Sequence, residues 1–285
     1  MCRRRLALAI LALCGCSPPS PPASADASQS IDAGSTADAY VVAEPCKKVD
    51  VLFVVDDSGS MAEEKVALAK EVFPAFARKL LDIGAGVEDY RIGVMDACPY
   101  VPFLHTAGMS GPCHFATGER WMDSADPDLE REFACVADID GSDDVCGFSY
   151  EAEQPTTSAA ASMEVPFRIG YNAGFLRDDA YLVLVTISDD DDLDYLGETP
   201  SELVARLVRA HGGNIHTMVF LAIAPSRDCD GVYGHGLAAP ATMAIAREFG
   251  AAGQGFFWDL CKGNLTNGLD EAMAVIEAAC LAPTS

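Results

Sequence analysis

In the stretch VDVLFVVDDSGSMAEEK, Val49 to Lys65, an apolar run ends in alternating oxygens: Asp56, Ser58 and Ser60, spaced D-x-S-x-S. A carboxylate and two hydroxyls on one short loop aim at a common point. Hard oxygen donors of this kind suit Mg²⁺ or Ca²⁺, with Mn²⁺ as a third choice, rather than zinc. A second apolar run, YLVLVTIS, ends in Asp189, followed by Asp190, Asp191 and Asp192. Between the two, EQPTTSAAASM offers Glu153, Thr156 and Thr157. The bland reading of the first loop is a capped turn, with Ser58 or Ser60 as N-cap. For the last three aspartates it is a solvated charge run. No serine–histidine–acid set and no cysteine nucleophile stands out, so the chain reads as a binding protein and not an enzyme. DIDGSDD (138–144) has its glycine too early for an EF-hand and no glutamate at the twelfth position, and reads as a weak acidic turn.

The elements that must position these groups alternate. VDVLFVVD (49–56) is nearly continuous apolar, as a central parallel strand should be. Residues 63–84 carry apolar positions at helical spacing, with Pro74 expected to kink the helix and Gly84 to end it. Strands are expected at 90–95, 181–188, 214–224 and, at an edge, 255–260; helices at 200–213, 239–251 and 267–279. Strands alternating with helices imply an α/β fold with a doubly wound, mostly parallel sheet flanked by helices. Ligands then sit outside the carboxyl ends of the strands, where the strand order reverses. Between about 96 and 154 the rhythm breaks, and Cys98, Cys113, Cys135 and Cys146 make this span a disulfide-stapled insertion.

The strand, DDSGSM and following helix together resemble the metal-ion-dependent adhesion site of von Willebrand factor type A domains, over residues 47 to 280. The resemblance implies a Rossmann-like fold and a divalent cation held by Asp56, Ser58, Ser60, an aspartate after the fourth strand and a threonine before the third helix. ISD selects Asp189. The threonine position falls to Thr156, with Glu153 as its rival, because no GGT precedes Thr156. The stretch from GFSYEAEQPTTS to VTISDDDD is similar to a group of exported bacterial type A proteins with EQP before that helix. A glutamate there would shift preference toward Ca²⁺. The resemblance further implies one open coordination position for a carboxylate of a protein ligand; the alternative is a structural envelope scaffold with a vestigial site.

The start of the chain carries an address. MCRRRLALAILALCGC has a basic n-region, Arg3 to Arg5, and an apolar run too short to span a membrane. Its end resembles a bacterial lipobox, with Cys16 the residue to be lipidated, Cys14 a weaker second frame and an ordinary cleaved signal the alternative. Residues 1–16 are thus expected as a lipoprotein signal peptide and 17–45, rich in Pro, Ser and Ala, as a disordered tether. Residues 46–285 form one domain, exported to the cell envelope, with the outer membrane the expected place. Eight cysteines remain beyond the leader: Cys46, Cys98, Cys113, Cys135, Cys146, Cys229, Cys261 and Cys280. An even set in an exported chain reads as disulfides, and Cys46 with Cys280 is the favoured pair. The formal net charge of −24 disfavours nucleic acid and anionic lipid as partners.

Overall fold

The computed structural model describes residues 46–81, 87, 89–139, 153–192 and 197–281. The leader with Cys16, the tether and Cys146 lie outside the described residues.

Strand β1 (Lys48–Val55) shows why the sheet is covered on both sides. Val49, Val51, Phe53 and Val55 enter one apolar cluster, while Leu52 and Val54 enter a second on the opposite face. Side chains alternate faces along a strand, so a continuous apolar run demands a layer on each side. The other strands of the main sheet are β2 (Asp89–Asp96), β5 (Met122–Asp123), β6 (Tyr181–Ile187), β7 (Met218–Ala224) and β10 (Gly255–Asp259). Two small hairpins supply β3 (Ala107–Gly108) with β4 (Gly111–Pro112), and β8 (Cys229–Gly231) with β9 (Gly234–Gly236). The main order is β10-β7-β6-β1-β2-β5, all parallel except β5, which pairs antiparallel to β2. The sequence runs from β1 outward to β2, then returns to β6 on β1's other side. The order therefore reverses at β1, and Asp56 sits just past its carboxyl end.

The helices are α1 (Ala62–Ala67), α2 (Phe73–Leu81), α3 (Leu129–Ala137), α4 (Pro155–Ser162), α5 (Pro200–Ala210), α6 (Pro240–Ala251) and α7 (Leu265–Leu281). Apolar residues of α2, α3 and α7 share the cluster of Phe53; those of α4, α5 and α6 share the cluster of Leu52. The protein is thus an α/β fold with a mostly parallel central sheet flanked by helices. The expected kink at Pro74 is resolved as a π-turn, Leu68–Val72, between α1 and α2. Widening the helix there relieves the clash a proline ring makes with the carbonyl four residues back.

The 96–154 segment is more than an insertion. It adds β5 to the sheet edge and α3 to the core, where Phe133 meets Phe53, Phe73 and Phe76 with ring centroids 4.9, 4.4 and 6.3 Å away. Disulfides join Cys46 to Cys280, Cys113 to Cys135 and Cys229 to Cys261. Cys98 is also disulfide-bonded. Among the described residues, no helix is long and apolar enough to cross a membrane.

Candidate metal centre

Asp56 continues the even-numbered face of β1 but finds polar partners instead of a core. It is wholly buried. Its Oδ1 accepts the Ser58 amide at 2.8 Å, which folds the loop back on itself, and its Oδ2 accepts the Ser188 hydroxyl at 2.6 Å. Ser188 follows β6, so this bond ties the ends of the two central strands together. Ser58 occupies the N-cap position of the turn Gly59–Met61, yet its side chain makes no cap hydrogen bond. The Ser58 and Ser60 hydroxyls instead lie 2.8 Å from each other, directed to one place as the D-x-S-x-S spacing requires.

Carboxylates gather at the same place. Oxygens of Asp56, Asp57 and Glu153 all lie within 4.8 Å of one another. Opposed oxygens in a Ca²⁺ shell are about 5 Å apart, so the three fit around one such ion. Burial pushes the Glu153 carboxyl well above its usual range, and the charges of Asp56, Asp57 and Asp189 push the same way. Asp189 is 4% exposed, and its Oδ2 has no hydrogen-bond partner among the described residues. Burial, with Asp56 behind it, raises Asp189 to about 7, against the opposing effect of the Ser60 hydroxyl. Glu64 on α1, 1% exposed, is likewise raised to about 7 by burial and by Asp189, Glu63 and Asp56. Acids forced this close, out of water, are stable as anions only with a cation among them.

The Thr156 amide donates to Asp192 Oδ2 at 2.7 Å, and its buried Oγ1 has no hydrogen-bond partner of good geometry among the described residues. Asp192 sits at the start of α4, raised to about 6 by its burial against the lowering effect of Thr156. Asp191 accepts the amides of Ala241 and Thr242 at 3.0 Å, at the start of α6. Asp191 and Asp192 are therefore buried caps of two helices and not a solvated run. Asp190, half-buried, accepts the Asp191 amide.

One element escaped the sequence reading. The β8–β9 hairpin, stapled by Cys229–Cys261, lies beside the site: the Leu237 amide donates to the Asp189 carbonyl at 2.8 Å. Gly234, at φ 103°, comes so close that a Cβ there would stand 2.6 Å from Glu63 Oε2. The glycines of CDGVYGHG were the available hairpin signal.

No protein-family profile matches the chain, and no curated protein matches it. Among solved structures, proximal thread matrix protein 1 from the mussel byssus (crystal form 2) is similar at 16% identity, with a TM-score of 0.45. The match covers 84% of this chain and 50% of that one, so this chain spans about half of that protein's length.

Proposed function

We propose that the chain is a von Willebrand factor type A domain that holds a divalent cation, Ca²⁺ or Mg²⁺ with Mn²⁺ as a substitute, and through it a protein partner. The observation that carries this reading is the meeting of Asp56, Asp57 and Glu153 beside the Ser58–Ser60 pair, where the strand order reverses. Asp56, Ser58, Ser60 and Glu153 would hold the ion, with Asp189 acting directly or through water; Asp57 adds a carboxylate. Glu153 is favoured over Thr156 because its carboxylate meets those of Asp56 and Asp57. The ion supplies positive charge to an acidic pocket and a position open to a partner's oxygen. What the chain's own residues contribute is a rigid donor set: Ser188 fixes Asp56, and the hairpin fixes the Asp189 backbone.

In this reading the protein is exported and anchored in the cell envelope through Cys16, with the partner a neighbouring envelope protein. Calorimetry of the metal-stripped protein tests the cation. Ca²⁺ or Mg²⁺ should bind saturably at one site per chain, and Asp56→Ala should abolish the heat. No heat with either ion would leave a structural scaffold with a vestigial site.

A further inference from the structure

The main sheet ends differently at its two edges. On one side the antiparallel β5 pairs with Arg91 and Ile92 of β2, and all of β2 but Asp89 and Arg91 is buried. On the other, β10 pairs with β7 alone among the described residues, and Gly255, Phe256 and Phe257 are half-buried. In a parallel ladder, successive residues turn their N–H and C=O groups alternately to one neighbour and the other. The Gln254 carbonyl accepts the Phe220 amide of β7 at 2.8 Å, so Gly255 and Phe257 turn theirs outward. Such an edge is normally guarded by a lysine, a proline, a bulge or a covering loop. The strand GFFWD has no lysine or proline, and its one acid, Asp259, accepts the Ser226 and Cys261 amides. Beside the edge, on the α6 face, lies a cavity of about 470 Å³ lined by Met243, Ala246, Gly250 and Ala251 of α6 and by Phe257. Gly255 lets α6 come this close: a Cβ there would stand 2.3 Å from the Ala246 carbonyl oxygen. The charged group of the lining, Arg247, is exposed and has no ion-pair partner among the described residues. Its neighbour Glu248 accepts the Ser201 hydroxyl of α5.

We propose that β10 accepts an added strand, an extended segment of a partner protein. Its main chain pairs with Gly255 and Phe257, and its side chains place an apolar group in the cavity and a carboxylate against Arg247. The chemistry of the edge selects this occupant. Outward N–H and C=O groups in a row are satisfied by an extended backbone, which supplies both at the matching spacing. Alternate residues of that backbone point to one face, so the cavity and Arg247 read residues two apart. The cavity asks for an aliphatic side chain and the guanidinium for an acid. A second copy of this chain fits less well, since joining two β10 edges sets one formal charge of −24 against another.

The probe is a fluorescein-labelled octapeptide in which threonine alternates with valine, leucine, glutamate and valine, read by fluorescence anisotropy on the full chain. Chelator is present throughout, so the outcome is independent of the cation. The peptide should bind saturably. Two further peptides are N-methylated, one on the threonines flanking the leucine and one on the leucine and glutamate themselves. One of the two should bind at least about tenfold more weakly, having lost two hydrogen bonds to β10, and the other should change less than about threefold. Ala251→Leu fills the cavity from the exposed end of α6 and should weaken the unmethylated peptide about tenfold. Arg247→Glu should weaken it at least about threefold and favour a peptide with lysine in place of the glutamate. The methylated series uses the parent protein, so it stands whether or not the variants fold. Equal binding of all three peptides, or binding indifferent to a folded Ala251→Leu, would overturn the proposal. No saturation by about 1 mM peptide, where even a weak complex would form, would overturn it as well. A dimer in sedimentation that the peptide dissociates would replace the partner protein by a second copy.

Discussion

Glu64→Gln should make the cation-free protein more stable at pH 8 and leave it almost unchanged at pH 4. Glu64 is 1% exposed, its Oε2 has no hydrogen-bond partner among the described residues, and its neighbours Asp189, Glu63 and Asp56 are all acids. Its folded-state carboxyl is raised from 4.5 to about 7. The folded protein therefore holds this proton more tightly than the unfolded chain does. Stability falls as pH rises from about 4.5 through about 7, and above that the whole cost is in place. The difference between 4.5 and about 7 corresponds to about 3 kcal/mol. Glutamine keeps the shape and removes the charge, so most of that cost should be recovered at pH 8. At pH 4 the parent side chain is neutral in the folded state and mostly neutral in the unfolded one, so almost nothing remains to recover. For a domain of this size, 3 kcal/mol moves Tm by roughly 6–12 °C. The assay is thermal or urea unfolding of parent and variant in chelator at the two pH values. A variant no more stable at pH 8, or one stabilised equally at pH 4, would refute the reasoning. Saturating Ca²⁺ in the parent should shrink the gain, since a cation between Asp56 and Asp189 offsets the charges that oppose Glu64.

Asp191→Ala removes the acceptor of the Ala241 and Thr242 amides and should destabilise by about 2 kcal/mol, read as a lower urea midpoint at unchanged slope. Phe133→Ala opens a cavity among Phe53, Phe73 and Phe76 and should cost about 3–5 kcal/mol in the same assay, whereas an appended insertion would lose far less.

The central strands were legible because a strand covered on both faces is apolar at nearly every position: β7 throughout, β6 but for Thr186, and β1 from Val51 to Val55. The helix behind DDSGSM was legible from its spacing, but its π-turn was not, since the geometry by which a helix admits a proline is a tertiary outcome. The β5 strand is two residues long and offers no period to read. Helix α3 did carry a signal: Leu129, Phe133 and Val136 at helical spacing behind Asp128, whose side chain accepts the Arg131 amide. Its surrounding acids and cysteines hid that signal among loop-like residues. Asp56, Ser58 and Ser60 were legible because one short loop holds them all. Glu153 stood in the sequence only as a rival to Thr156, because which of them faces Asp56 depends on where α4 begins.

The run from Asp189 to Asp192 shows what a one-dimensional reading of charge misses. In a parallel α/β sheet, strands end and the following helices begin along the same edge. That edge therefore collects free helix-end amides and the positive ends of helix dipoles. Acids placed there have two possible sources of compensation, helix N-termini and cations. Asp192 takes the first amides of α4, and Asp191 takes those of α6. Asp56 has the Ser58 amide and Ser188 hydroxyl, which leave its charge unbalanced, and Asp189 Oδ2 has no donor among the described residues. Glu153 meets other acids. Buried carboxylates without cationic partners are costly, so the edge that explains the two capping aspartates leaves Asp56, Asp57 and Glu153 as the group that could hold a metal ion.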